Sequence, residues 1–206
     1  MSETDYQRIV QRVTQSIAVP MLASDTGIET AQRLGQLAAQ EEIAWAVAGG
    51  LAMYLYGSPR LTKDVDIIAS KHLSLTQQHP LTFGGSNYTL QVGKYVVPVD
   101  WIVRNDGYQE FYQAALRDAV TLPNGLRIVT PEWLVILKFN AGRQKDLDDI
   151  VYLLRQKGLV QRPVIKQKMV ALAGENGWLL MLAGFRRLCD LADGNTKELS
   201  KYYDQE

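Results

Sequence analysis

Between Trp45 and Ile68 an apolar strand runs into Gly49-Gly50, a short helix-forming segment, and a second apolar strand carrying Asp64 and Asp66. This pattern constrains the fold more than any other stretch. A strand turns alternate side chains to one face, so Asp64 and Asp66 point the same way, roughly 7 Å apart, while Val65 faces the core. Two carboxylates aimed together repel unless something positive lies between them, and the cheapest such partner in a cell is Mg²⁺, a hard cation that prefers carboxylate and phosphate oxygens. A bare Asp-x-Asp is also compatible with a solvated turn or an ion pair to Arg60 or Lys63. That reading weakens here because the pair lies inside an apolar strand and follows a strand–Gly-Gly–helix unit.

A third aspartate, Asp100, lies in another strand-like run, Tyr95 to Val103. If the two strands are neighbours, its carboxylate completes a three-acid cluster. Such a set suits two cations about 3.5–4 Å apart, gripping the attacking and leaving oxygens of an in-line phosphoryl displacement. At Gly49-Gly50 the missing Cβ atoms let backbone N–H groups approach an anion, and a helix starting there aims its positive end at the same point. The alternative is a plain strand-to-helix turn. The chain has neither the Gly-Lys-Ser/Thr of a Walker A loop nor a G-x-G-x-x-G dinucleotide motif.

The spacing of Ala48-Gly49-Gly50, then Asp64-Val65-Asp66, then a later-strand Asp100, resembles the active-site pattern of polymerase-β-type nucleotidyltransferases. Two further stretches, RLTKDVDI (Arg60 to Ile67) and TPEWLVILKFNAGRQKDLDDIVYLL (Thr130 to Leu154), are similar to the minimal, AbiEii/AbiGii toxin-like group. The resemblance covers about half the chain, Trp45 to Leu154. It implies an α/β fold, a nucleotidyltransferase-like mixed β-sheet flanked by helices, with N-terminal helices and a helical C-terminal lobe. It also implies metal-dependent transfer of NMP from an NTP to an acceptor hydroxyl on tRNA, a protein or a small molecule. In that pattern Gly49 and Gly50 hold the triphosphate; Asp64, Asp66 and Asp100 bind two Mg²⁺ ions, or Mn²⁺. Lys138 contacts the phosphates, and Arg143, Lys145, Asp146 and Asp149 shape the rear of the cleft. Many relatives have Gly-Ser where this chain has Gly49-Gly50, which removes one hydroxyl contact to phosphate.

The residues from Lys138 to Asp149 also fit a surface helix with intrahelical pairs such as Lys145 to Asp149. Lys138 stands between Leu137 and Phe139 in a mostly apolar run, where a lysine needs a partner. His72 and His79 have no acidic neighbour at ligand spacing and are expected to face solvent; Trp101 is expected to point away from Asp100. A catalytically idle member of the same fold, acting as a nucleotide sensor or toxin–antitoxin partner, stays open, although all three aspartates are present. A metal-dependent phosphohydrolase lacks a supporting His-Asp pair.

The 206 residues, 47% of them apolar, suffice for one domain with a real core. Lys plus Arg equals Asp plus Glu at 22 each, so global charge points to no polyanion or membrane. Locally, Arg155, Lys157, Arg162, Lys166 and Lys168 lie in a stretch without acids, a weak footprint for RNA or else a solvated face. The lone Cys189 excludes an internal disulfide and a cysteine-rich zinc site, and reads as a buried thiol. The charged N-terminus lacks a signal-peptide core, and the longest apolar run is too short to span a bilayer, so a cytoplasmic protein is expected. An N-terminal helical segment at 1–42, a catalytic core at 43–130 and a helical lobe at 131–206 are predicted. Within them come helices at Glu3 to Ile17 and Ile28 to Glu42, with Asp25 or Thr26 as N-cap. A hairpin turns at Gly93-Lys94, Thr130-Pro131 starts a helix, Gly142 breaks it, and separate helices at Val164 to Ala173 and Trp178 to Ala192 close the chain.

Overall fold

A computed structural model describes residues 22–195; the helix expected at Glu3 to Ile17 lies outside them. The fold is α/β: a mixed sheet of seven strands flanked by helices. Helix α1 (Ser24–Gln40) precedes β1 (Trp45–Val47), and α2 (Gly49–Leu55) joins it to β2 (Val65–Ala69). Then come β3 (His79–Pro80), β4 (Gly85–Val92), β5 (Tyr95–Ile102), α3 (Gln109–Arg117), β6 (Val120–Thr121) and β7 (Arg127–Ile128). Helices α4 (Pro131–Ala141), α5 (Gln144–Arg155) and α6 (Arg162–Asp193) finish the described chain.

The strand order is β3-β4-β5-β2-β1-β7-β6. At its centre β2 runs parallel to β5 and antiparallel to β1. The pairing of β2 with β5 sets Asp66 opposite Asp100 and Val65 opposite Val99. The same alternation that buries Val65, Ile67, Val99 and Trp101 puts both aspartates on the other face. The expected hairpin forms: Val92 pairs with Tyr95 and Gly93 takes a positive φ of 57°. Its register carries on to Asn87 opposite Asp100, because β4 begins at Gly85, a segment whose Gly-Gly-Ser-Asn composition reads as loop.

Helix α1 packs through Ala31, Leu34 and Ala38. Gly35 is required there: a Cβ would lie 2.2 Å from the Trp45 ring. Its N-cap is Ala23, with no side-chain cap bond, rather than Asp25 or Thr26. The helix thus begins two or three residues earlier than those caps would place it. Helix α4 is apolar all round, with every residue from Trp133 to Leu137 buried, as a helix enclosed by neighbours must be. Thr130 takes the N-cap place and Pro131 follows, yet the Thr130 hydroxyl is buried without a hydrogen bond among the described residues. Gly142, left-handed at φ 64°, ends α4 and lets α5 fold back against it. The closing segment is two helices joined across a kink at Gly174, whose φ of 68° and ψ of 179° are non-helical, as the separate helices expected at Val164 to Ala173 and Trp178 to Ala192 require. Cys189 is half-buried, and burial pushes its thiol up. No helix among the described residues is long and apolar enough to cross a membrane.

Candidate active site

One cavity of about 370 Å³ is lined by Gly49, Gly50, Asp64, Asp66 and Asp100 on the sheet side and by Lys138, Arg143, Lys145 and Asp146 on the helical side. Each part of this lining follows from the local fold. Asp66 and Asp100 share a register on parallel strands. Asp64 lies just before β2 rather than inside it, on the segment that Leu22 anchors by donating its N–H to the Thr62 carbonyl at 2.8 Å.

Every carboxylate of the trio is oriented by one neutral donor. Thr62 Oγ1 donates to Asp64 Oδ1 at 2.8 Å, Gly50 N–H to Asp66 Oδ2 at 3.2 Å, and Asn87 Nδ2 to Asp100 Oδ1 at 2.8 Å. Among the described residues none of the three forms an ion pair. Arg60, a possible partner for the Asp-x-Asp pair, is turned to Asp149 instead. The electrostatic result falls on Asp66. Burial, then the charges of Asp64 and Asp100, raise its carboxyl from 3.8 to about 6, against a smaller pull from Gly50 N–H and Lys138.

The glycines are fixed by this arrangement. Gly49 has φ 55°, and a Cβ on it would lie 1.7 Å from Asp66 Oδ2. A Cβ on Gly50 would meet Thr62 Oγ1 at 2.5 Å. Thr62 therefore fills the space a serine would need at position 50, and the Gly-Gly spelling is matched to Thr62. Gly50 N–H is already given to Asp66, so here the glycine turn seats a carboxylate.

Behind the cavity the charges are compensated. Lys138, buried, donates to Asp146 Oδ1 at 3.1 Å and Asp149 Oδ2 at 2.7 Å. Arg60 makes a two-pronged contact with Asp149 at 2.9 and 3.0 Å, and Arg143 reaches Asp146 at 2.5 Å. Burial pushes Asp146 up, but Arg143 and Lys138 outweigh it and hold the carboxyl below its ordinary value. Asp149 thus braces Lys138 from behind and is not part of the lining. The intrahelical Lys145–Asp149 pair does not form; Lys145 is exposed on the cavity rim without an ion-pair partner among the described residues.

Sequence reasoning missed Thr62 and Asn87, the donors that aim Asp64 and Asp100. The signal for Asn87 was present: a two-residue turn at Gly93-Lys94 fixes the hairpin register, and continuing it sets position 87 against 100. It also missed Arg104, which lines the cavity while stacked between Phe83 and Tyr112, each ring 4.9 Å away. His72 and His79 are exposed, and Trp101 is buried with its indole N–H on the Lys71 carbonyl at 2.8 Å. Of the basic stretch, Arg155 bonds the Leu191 carbonyl, Arg162 pairs with Asp193, and Lys168 pairs with Asp118. Three of its five cations are thereby occupied within the fold.

The donor set fits a hard divalent cation: carboxylate oxygens, no thiolate or imidazole, and excess negative charge that raises Asp66. No three His, Cys, Asp or Glu side chains among the described residues are set as a ready-made metal cage. Mg²⁺ does not require one, since it is commonly held by one or two carboxylates, water and substrate phosphates.

No protein-family model matches this chain, and no curated protein matches it. Among solved structures, an antigenic nucleotidyltransferase-like protein from Paracoccidioides brasiliensis is similar, at 18% identity and a TM-score of 0.54, over 84% of this chain and 95% of that one. At that identity the likeness is one of fold: the chain has a nucleotidyltransferase-like α/β architecture.

Proposed function

We infer that the protein transfers a nucleoside monophosphate from an NTP to an acceptor hydroxyl. The observation that carries this reading is the meeting of Asp66 and Asp100, in register on parallel strands, with Asp64 in one cavity without a cationic partner among the described residues. Divalent cations, Mg²⁺ or Mn²⁺, would be held by these three residues and would neutralise the triphosphate and activate the hydroxyl. Asp64 and Asp66 face the donor, and Asp100, held by Asn87, faces the acceptor. The acceptor oxygen bonds to the α-phosphorus as the bond from that phosphorus to the bridging oxygen breaks. Pyrophosphate leaves with the electron pair, and the hydroxyl proton passes to solvent.

Lys138 is engaged by two aspartates, so the cation best placed for incoming phosphates is Lys145, with exposed Arg143 beside it. Gly49 and Gly50 provide the bare backbone that lets the phosphates approach Asp66. We take 43–130 as the catalytic core, 1–42 as the segment packed on it and 131–206 as the closing lobe. The toxin-like affiliation rests on Arg60 to Ile67 and Thr130 to Leu154; it brings tRNA or protein as acceptor and a cognate antitoxin as partner.

The test is pyrophosphate release from each NTP with Mg²⁺, with and without bulk tRNA, in the wild type and Asp66→Ala. Release from at least one NTP, reduced about a hundredfold or more by the substitution, is expected. Activity that survives Asp66→Ala overturns the site. Tight NTP binding without turnover on any acceptor would make the protein a nucleotide sensor.

A further inference from the structure

A second cavity, of about 340 Å³, opens beside the first, and Arg104 and Tyr112 line both. Its floor is the end of β2 and the start of β1, at Ala69, Ser70 and Ala44; α3 forms a wall with Gln109 and Gln113. Three arginines line it, Arg104, Arg117 and Arg127, and no carboxylate does.

The three are not equivalent. Arg104 is neutralised by Asp106 through two contacts at 2.9 and 2.5 Å and stacked on three aromatic rings, so it is a fixed post where the two cavities meet. Arg117 and Arg127 form no ion pair with a described residue; Arg127 spends one N–H on the Leu116 carbonyl at 3.3 Å. Asp118, the nearest acid in sequence, is occupied by Trp133 Nε1 at 2.7 Å and by Lys168. Two guanidinium groups without an ion pair among the described residues, Arg117 sensing Asp118 only at longer range, stand with the Gln109 and Gln113 amides at a cavity that no carboxylate lines, and make a site for an anion. Guanidinium forks match phosphate oxygens.

We propose that this second cavity is the acceptor subsite, and that Arg117 and Arg127 hold a phosphate ester of the acceptor whose hydroxyl is presented to Asp100. This rests on the nucleotidyl-transfer reading and adds to it the chemical class of the acceptor: a phosphorylated molecule. Ser70 lies four residues beyond Asp66, about 13 Å along the strand. The ester is therefore set apart from the reacting hydroxyl, as in a nucleotide strand end or a compact phosphorylated metabolite.

Equilibrium binding tests this without turnover. The four ribonucleoside 5′-monophosphates and a short RNA with a free 3′ hydroxyl are titrated into the full chain and its Arg117→Gln/Arg127→Gln variant. Binding of at least one probe, weakened about tenfold or more in the double variant, is expected. The slope of log affinity against log salt should fall by about 2 in magnitude, one for each lost contact. NTP binding should not change in the arginine variant. Arg127→Lys, which keeps the charge and one donor, should recover part of the loss; exposed Arg117→Gln alone tests the site without touching the Leu116 contact. The preference between monophosphate and RNA identifies the source of the ester. Failure of every probe to bind, or equal binding by the double variant, overturns the subsite. Absent pyrophosphate release with arginine-dependent ester binding would instead sink the transfer reaction and leave the cavity an anion site.

Discussion

Replacing Asp66 with asparagine should make the protein more stable, against the usual direction of a substitution in a buried site. The carboxyl has its pKa raised from 3.8 to about 6, first by burial and then by Asp64 and Asp100. A raised acid pKa means that the folded state binds the proton more tightly than the unfolded one. Below about pH 4 both states are protonated and nothing is lost; as pH rises from about 4 to 6 stability falls, and above about 6 the full penalty is present. At about 1.4 kcal/mol per pH unit, the gap between 3.8 and about 6 is worth about 3 kcal/mol. Asparagine keeps an oxygen for the Gly50 N–H but loses the charge-assisted part of that bond, about 1 kcal/mol, leaving a net gain of about 2 kcal/mol at pH 7. For a chain of this size that corresponds to a rise in Tm of about 4–8 °C. Urea unfolding of wild type and Asp66→Asn from pH 4 to 8, in chelator, isolates the effect as the difference between the two curves. It should be small at pH 4, open through pH 5 and plateau above pH 6. Mg²⁺ should narrow the gap by stabilising the wild type more than the variant. A difference that is flat across this range, or opens in the other direction, would refute the electrostatic reasoning and with it the claim that the three acids share one field.

Gly49→Ala should abolish pyrophosphate release and lower stability by about 1–3 kcal/mol, since position 49 is left-handed and its Cβ would displace Asp66; normal activity in this variant would show that the carboxylate is not seated there. Gly50→Ser should be impaired in the wild-type background and improved when combined with Thr62→Gly, read as the interaction energy in a double-mutant cycle; simple additivity would refute the steric coupling. Lys138→Met should cost about 3–5 kcal/mol in denaturant unfolding by leaving two buried aspartates short of a cation, and Asp146→Asn should recover part of that loss. An unchanged urea midpoint for Lys138→Met would mean that Arg60 and Arg143 suffice.

What was legible in the sequence was what short-range pattern controls. Alternation placed Val65 and Asp66 on opposite faces, the Gly93-Lys94 turn gave the hairpin, and Gly142 ended a helix. The adjacency of Asp66 and Asp100 was a condition the sequence could state but not settle, because β2 and β5 are parallel and no local turn sets their register. Lys138 was read as needing a partner, but its partners lie a helix turn and a reversal away on α5, and Arg60 reaches the same carboxylate from the far end of the segment that bears Asp64. The loop at Gly84 to Asn87 misled because glycine composition predicts a turn; Gly85 instead lies in strand, where a Cβ would meet the Trp101 carbonyl at 2.2 Å. The N-cap of α1 failed for a related reason: two good capping residues sit inside the first turn, and the helix starts ahead of them.

The contrast between the two sides of the cavity is the strongest physical argument that the sheet aspartates do chemistry. On α5, Asp146 and Asp149 are each gripped by two cations, with Lys138 shared between them. A fold that needed the sheet carboxylates only for stability had the same means at hand, since Arg60 and Lys138 line the same cavity. Instead Asp64, Asp66 and Asp100 receive one neutral donor each, from Thr62, Gly50 and Asn87. Neutral donors fix the direction of a carboxylate without discharging it, so the repulsion between the three remains and, after burial, adds to the raised pKa of Asp66. Charge that is oriented, concentrated and left without an ion pair among the described residues is charge kept for something that arrives from solution, and carboxylates beside bare glycine backbone select a hard cation carrying phosphate.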